Sequence, residues 1–457
     1  MTMSTLKIHN PATGALLAEL PADDAASIAA KARAARAAQA AWAARPLAER
    51  IAILQRFRDA VIVEREALAK TLTQEVGKPI AQSRNELSGL LPRLDFFLAQ
   101  AASAFADEPV FDEGGMRERI AHVPLGLVAN ISAWNYPWFV SCNVVVPALL
   151  AGNAVLYKPS EFATLTGQHL VRLLHAAGVP ADVLALVVGG GAAGAALLEQ
   201  PIDGLFFTGS VPTGKRIAAA LAGRLVKLQL ELGGKDPSYV RADADPKAAA
   251  ESLADGAMYN SGQSCCSVER IYVHESLHDA FVEHFLATVD GFKVGDPMDE
   301  ATYIGAIARA PQLEVLDAQV ADAKAKGATL QRGGQRLPGN AYAPTVLTNV
   351  DHTMELMREE SFGPVIGIQK VKGDDVAVAL MNDTRYGLTA GVYTKDEAAA
   401  KALLARVNAG SVYWNCCDRV SPRLPWSGVG DSGIGLTLST HGLLAFTRPK
   451  AWHLRQP

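Results

Sequence analysis

Two side chains in this sequence can do covalent chemistry together. Cys265 sits in the polar, glycine-containing turn Asn260-Ser261-Gly262-Gln263-Ser264-Cys265-Cys266, and Glu231 lies upstream in Leu230-Glu231-Leu232-Gly233-Gly234-Lys235. A thiol attacks as its thiolate, so a nucleophilic cysteine needs surroundings or a base that take its proton. Glu231 follows the alternating Leu228-Gln229-Leu230, which predicts a strand ending in a glycine-rich turn, where a carboxylate can be presented. Taken singly, each residue has an ordinary reading, since cysteine is among the most buried residue types and packs as a small apolar side chain. The pair gains meaning only if the rest of the chain supplies a cofactor site and an oxyanion donor.

A cofactor site is suggested by Phe206-Phe207-Thr208-Gly209-Ser210-Val211-Pro212-Thr213-Gly214-Lys215, which runs from a strand into a helix. Around Thr208, Gly209 and Gly214 the backbone can approach a pyrophosphate closely, and Ser210 with the helix N-terminus supplies donors. The spacing is GSxxxG rather than GxGxxG, and such turns also serve as packing devices. Lys158-Pro159-Ser160-Glu161 ends the preceding strand, at the carboxyl edge where open sheets bind ligands. A carboxylate there can accept both hydroxyls of an adenosine ribose and repels a 2′-phosphate, which favours NAD over NADP. Its plainer role is that of an acid complementing a helix dipole.

These residues need a large scaffold. A chain of 457 residues exceeds the size to which single cores usually grow, about 250–300 residues, so two or three domains are expected. With 49% hydrophobic and 20% charged residues, the composition is that of a globular protein with a large core. A net charge of −4 with scattered basic residues argues against nucleic acid or an anionic membrane as partner. The cysteines are Cys142, the pair Cys265-Cys266 and the pair Cys416-Cys417. An odd count with adjacent pairs reads as reduced thiols in a cytoplasmic protein rather than a disulfide framework. No metal site is expected, because there is no CxxC, no HExxH and no ligand-spaced histidine cluster. The stretch Met1–Lys7 lacks the apolar core of a signal peptide. Between Arg119 and Lys158 no charged residue occurs, a length that suggests a membrane span. Pro124, Pro137 and Pro147, with Asn130, Asn135, Asn143 and Asn153, break it into buried strands and a buried helix instead.

After an opening strand and turn (Ile8 to Leu20), apolar spacing predicts helices over Asp23–Ala44, Leu47–Leu72 and Lys78–Ala104. From Ile120 the pattern becomes strand, turn, helix, strand. Strands are expected at Leu127–Ala129, Asn153–Tyr157, Ala185–Val188 and Gly204–Phe207, with a helix closing at Leu150 and others at Leu165–Ala177 and Ala193–Glu199. This alternation argues for a parallel, doubly wound sheet. A second α/β pattern begins near Pro237, with helices at Ala248–Asn260, Leu277–Val289, Gln312–Ala325 and Asp374–Asn382 and strands at Ile271–Val273 and Val365–Lys370. The tail from about Arg448 is strand-like, too short to bury itself, and needs a partner.

The motifs together resemble the aldehyde dehydrogenase superfamily. Ser132-Ala133-Trp134-Asn135-Tyr136-Pro137-Trp138 looks like its Trp-Asn-Tyr/Phe-Pro motif. Lys158 to Glu161, Phe207 to Gly214, Glu231 to Lys235, Gly262 to Cys265 and Glu360-Ser361-Phe362-Gly363-Pro364 follow in the family's order, across essentially the whole chain. The resemblance implies a Rossmann-like cofactor domain, an α/β catalytic domain and a small β oligomerisation arm. It implies cofactor-domain segments at 1–104 and 125–233, the first part of the arm at 105–124, a catalytic domain at 234–435, and a return with the oligomerisation strand at 436–457. It further implies that Cys265 is the nucleophile, Glu231 the base, and Asn135 with the Cys265 backbone N–H the oxyanion hole. Lys158 and Glu161 would hold the adenosine ribose, Ser210 the pyrophosphate and Glu360 the nicotinamide ribose, with Phe362 packed nearby. The tail would pair with Met116–Val123 in a homodimer or homotetramer. One motif departs from the family. Pro425-Trp426-Ser427-Gly428-Val429-Gly430 carries Gly430 where a lysine is common and Trp426 where phenylalanine is common, so no subfamily substrate transfers.

Oxidising an aldehyde by hydride transfer needs an sp³ carbon bearing an oxyanion, which thiol addition creates. NAD then takes the hydride, and Glu231 would activate water to release the acid from a thioester. Acyl transfer to coenzyme A, a cysteine esterase without redox turnover, and a non-catalytic relative are the competing readings. The intact Cys265, Glu231 and Asn135 speak against the last. Trp138, Asn143, Val420 and Trp426 are expected to line the substrate tunnel. Glu86 can favour a cationic aldehyde, although a lone helix acid is usually solvated, and Cys266 is expected to be a packing thiol rather than a resolving one.

Overall fold

The computed structural model describes residues 5–456; residues 1–4, part of the stretch read as lacking a signal core, and 457 lie outside the described residues. Three long helices open the chain after a hairpin of Thr5–His9 with Leu16–Pro21. They are α1 (Ala25–Ala44), α2 (Leu47–Val76) and α3 (Ile80–Ala104). The start of α1 is fixed by Asp24, whose carboxylate accepts the Ser27 N–H at 2.8 Å. Asp23, expected inside the helix, instead pairs with Lys31 at 2.6 Å and accepts the Val188 N–H. Next comes α4 (Pro137–Ala151), buried on every side. A helix apolar all round belongs in the interior of a large domain, and this one accounts for the charge-free stretch. Asn153 closes it, donating to the carbonyls of Ala148 and Phe446 while accepting the Gly126 N–H at 2.8 Å. No helix among the described residues is long and apolar enough to cross a membrane.

The first sheet contains the parallel strands Leu127–Ile131, Ala154–Lys158, Leu184–Leu186, Gly204–Thr208 and Lys227–Glu231. Numbered along the chain, they lie in the order 3-2-1-4-5. They are linked by α4 and by α5 (Thr164–Ala177), α6 (Gly191–Leu198) and α7 (Val211–Leu221). Glu75 of α2 holds the start of α5 by accepting the Leu165 and Thr166 N–H groups at 2.6 and 2.9 Å. The topology reverses between the first and fourth strands, so the ligand crevice of an open sheet lies beyond Ile131 and Thr208.

A second, seven-stranded sheet follows, parallel except for its edge strand Thr329–Arg332. Its centre is Asp236–Val240 beside Val268–His274, joined through α8 (Pro246–Met258). The strand Gly433–Ile434, expected within the catalytic segment 234–435, pairs antiparallel with Lys227–Glu231 of the first sheet. The third sheet is a three-stranded antiparallel arm. Thr447–Arg455 pairs along its whole length with Met116–Pro124, which also pairs with Glu108–Glu113. The tail thus finds its hydrogen bonds inside its own chain.

Candidate active site

Cys265 stands at the end of α8 on a loop of unusual backbone. Asn260, Ser261 and Gly262 follow one another with φ of 55°, 55° and 70°. Left-handed non-glycine residues cost of order 1–3 kcal/mol each and persist only where their surroundings over-determine them. Here they do. Asn260 donates from its backbone N–H to Gln82 at 2.9 Å and from Nδ2 to the carbonyls of Gln263 and Asn135 at 3.0 and 3.3 Å. Ser261 Oγ accepts the Gly305 N–H, and Gln263 accepts the Ala308 N–H while donating to Ala306. At Gly262 a Cβ would collide with the Gly363 carbonyl.

Glu231 ends its strand facing this loop, 5% exposed. Its Oε1 accepts Trp426 Nε1–H at 3.2 Å, whereas Oε2 is buried with no hydrogen-bond partner. Burial pushes the carboxyl up to about 7, against the lowering effects of Trp426 and the Cys265 thiol. Cys265 keeps some exposure. The neighbouring Cys266 thiol, desolvation and the Glu231 charge all push the Cys265 thiol well above its ordinary range. In the free protein it is a neutral thiol beside an oxygen able to take a proton. Cys266 also lines the cavity, but its thiol donates to Asp418 Oδ1 at 2.9 Å.

Both residues open onto a cavity of about 660 Å³ between α3, α4 and the segment 417–426. Asn143, Val420 and Trp426 line it. Trp138 does not. Its indole is fully buried in the core, because the α4 face that looks into the cavity carries Phe139, Val140 and Asn143. Glu86 is no solvated acid either: it is 2% exposed, pairs with Lys78 Nζ at 2.5 Å and accepts the Trp138 N–H at 2.9 Å. Its charge is already neutralised, which removes the argument for a cationic substrate. Asn135 is buried beside the Cys265 loop, tied to it by the Asn260 hydrogen bond, but it is not among the cavity-lining residues.

On the other side of Glu231 the expected cofactor residues gather at the crevice of the first sheet. Gly209 donates its N–H to the Glu231 carbonyl at 3.0 Å, linking the glycine turn to the carboxylate's strand. Thr208 is half-buried, and the exposed Ser210 begins α7, its Oγ on Thr213 at 3.1 Å. Gly214 faces inward instead of toward a phosphate. A Cβ there would lie 2.5 Å from Leu232, so this glycine sets the spacing of helix and strand. Lys158 is 3% exposed, with a single hydrogen bond of 3.3 Å, to the Pro159 carbonyl. Desolvation lowers its proton affinity while Glu161 raises it. The Glu161 carboxylate, half-buried, accepts from Ser160 Oγ at 3.4 Å. Glu360 Oε1 accepts the Gly234 N–H at 3.0 Å, and desolvation lifts its carboxyl to about 8. Phe362, at φ 50°, meets the Trp134 ring edge-on at 5.5 Å. A buried ammonium with one long hydrogen bond and a desolvated carboxyl both lack partners that ribose hydroxyls can provide, so these residues fit a dinucleotide.

Sequence reasoning passed over the buried charges behind the site. Glu269 accepts the Ser361 and Phe362 N–H groups at 2.9 and 3.0 Å and pairs with Lys235 Nζ at 2.5 Å. It holds the Glu360 loop in place. Arg93 in α3 was also missed, although Glu86, Gly89 and Arg93 recur at helical spacing on one face.

Residues 1–452 match the family described as "Aldehyde dehydrogenase family". A 3,6-anhydro-alpha-L-galactose dehydrogenase of Streptomyces coelicolor is 37% identical, covering 99% of this chain and 93% of the relative. A Mycolicibacterium smegmatis protein, provisionally named an NADP+ succinate-semialdehyde dehydrogenase, is 36% identical over 95% of this chain and 86% of its own. Among solved structures, PnpE in complex with nicotinamide adenine dinucleotide superposes with a TM-score of 0.96 at 31% identity, covering 99% of this chain and 94% of that one.

Proposed function

The chain belongs to the aldehyde dehydrogenase family, and on that premise we propose that it oxidises an aldehyde to the free carboxylic acid with NAD+. The observation that carries this reading is the buried, unpartnered Oε2 of Glu231 beside Cys265, on a carboxyl lifted to about 7. Cys265 adds through Sγ to the carbonyl carbon, its proton passing toward Glu231. The resulting oxyanion is met by the Asn135 carboxamide and the Cys265 N–H. Losing one such donor typically costs about 3–4 kcal/mol of barrier. When bound, the dinucleotide would supply the hydride acceptor, with Lys158 and Glu161 at its adenosine ribose, Ser210 at its pyrophosphate and Glu360 at its nicotinamide ribose. The acyl group then sits on Cys265 as a thioester, and Glu231, once it has released the thiol proton to solvent, takes a proton from the water that cleaves it.

A base poised near neutrality favours hydrolysis over transfer to coenzyme A. Glu161 favours NAD+, since a 2′-phosphate would meet its charge, although one relative is named for NADP+. Product analysis with each nucleotide, with and without coenzyme A, tests both points. The expected result is free acid in either case, with kcat/KM higher for NAD+. Acyl-coenzyme A as the product overturns the hydrolytic reading, and a preference for NADP+ overturns the role of Glu161. Cleavage of an activated ester with no reduction of either nucleotide would mark a hydrolase.

A further inference from the structure

Arg93 is a buried charge without a counterion among the described residues. It projects from α3 into the cavity that holds Cys265 and is 5% exposed. Its guanidinium lies over the Phe139 ring, 4.0 Å from the centroid, and Nη1 donates to Asn143 Oδ1 at 3.2 Å. Among the described residues no carboxylate pairs with it. The nearby acids are committed elsewhere: Glu86 to Lys78 and the Trp138 N–H, and Asp418 to the Cys266 thiol. Asp255, also at the cavity, is exposed and accepts from Tyr303 at 2.5 Å. Burial pushes the guanidinium down to about 10, which leaves it protonated at neutral pH.

An unpaired buried charge is destabilising, and a fold that keeps one breaks a packing rule where function sits. Phe139 covers one face of the guanidinium and Asn143 occupies one N–H, so the remaining edge is a planar fork of donors. That fork matches a carboxylate through two parallel hydrogen bonds. We propose that Arg93, supported by Asn143, anchors a carboxylate at the far end of the aldehyde, so that the substrates are ω-oxo acids. The exposed Arg419 at the same cavity adds positive charge at its mouth. The inference rests on the aldehyde-oxidising reading and names the substrate class of that site.

The test compares, at increasing chain length, an ω-oxo carboxylate, its methyl ester, the ω-amino aldehyde and a polyhydroxylated aldehyde, on wild type, R93M and R93K. Wild type should favour the oxo acid over its ester by about 30-fold or more in kcat/KM. R93M should lower the oxo acid by roughly 100-fold, mainly through KM, and leave the ester within about threefold. R93K should fall between, since an ammonium keeps the charge and loses the fork. A non-reactive monocarboxylate of matching length should compete with the oxo acid on wild type and lose that competition on R93M. Equal wild-type rates for acid and ester, an equal fall of both in R93M, or preference for the amino or polyhydroxylated aldehyde overturns the proposal. Should R93M be recovered unfolded, R93K gives the same contrast. If no aldehyde in the panel reduces nucleotide on wild type, it is the aldehyde-oxidising reading that has failed.

Discussion

Cys265 and Cys266 are neighbours in the chain with different surroundings. Both line the cavity, but Cys265 keeps some exposure and lies beside Glu231, whereas Cys266 is 4% exposed and donates to Asp418. Cys265→Ala should therefore abolish both aldehyde oxidation and ester cleavage, and Cys266→Ala should retain most activity. Steady-state assays showing the reverse would exchange the two roles. Glu231 gives a second expectation, in pH. As a base it works only when ionised, so turnover should rise as pH passes through about 7. Glu231→Gln should remove that limb and slow thioester hydrolysis by about 10²–10⁴-fold. The same raised value has a sign in stability. The folded state holds the Glu231 proton more tightly than the unfolded chain, whose carboxyl titrates near 4.5. That contribution is complete below about 4.5 and is lost as pH rises through about 7, leaving a buried carboxylate that costs on the order of 3 kcal/mol. The Gln variant should melt higher than wild type at pH 8 and close to it at pH 4.5, a comparison thermal denaturation can make.

The elements that place these residues were unevenly legible. Helices with long apolar periodicity stood out, and Asp374–Asn382 was read with its observed limits. The strands Thr389–Tyr393 and Ser411–Trp414 and the helix Glu397–Leu404 were not, because they are short. Their pairing comes from sheet neighbours distant in sequence. Trp138 misled for a related reason. A motif places a residue near the site, but the helical turn decides which side chain faces the cavity. The clamp at Glu269 left no local signal, since an acid next to Arg270 in a short strand shows its purpose only beside Lys235 and the Glu360 loop. Removing it leaves a fully buried ammonium with only the Ser361 hydroxyl, at 3.1 Å, as a hydrogen-bond partner, and two backbone N–H groups that have lost their acceptor. Glu269→Ala should lose about 3–5 kcal/mol of stability. If Glu360 holds the cofactor, the variant should also raise the nucleotide KM more than it lowers kcat. A variant that melts lower with an unchanged nucleotide KM would confine Glu269 to a structural role.

At the scale of the whole molecule, the three-stranded arm stands out as a sheet that buries little of itself. Glu108–Glu113 is exposed throughout, Val110 and Phe111 being 59% and 45% exposed, and most of Thr447–Arg455 is exposed as well. The sequence anticipated the companion of this tail correctly. It offered no way to tell an intrachain ladder from one between subunits, because pairing rules do not distinguish them. The ladder runs from Thr447 opposite Pro124 to Arg455 opposite Met116 within one chain. Among the described residues both outer edges of the arm are unpaired, and a small sheet with neither a packed face nor a covered edge is marginal alone. We propose that a second copy covers it, giving a homodimer or homotetramer by symmetric contact. Truncation after Thr447 removes the outer strand and strips the hydrogen bonds from one edge of Met116–Pro124. The shortened protein should run as monomer or aggregate with impaired activity, while light scattering of the intact chain at micromolar concentration should give an even-numbered assembly. An intact protein that scatters as a monomer would leave the arm an intrachain device and refute the assembly.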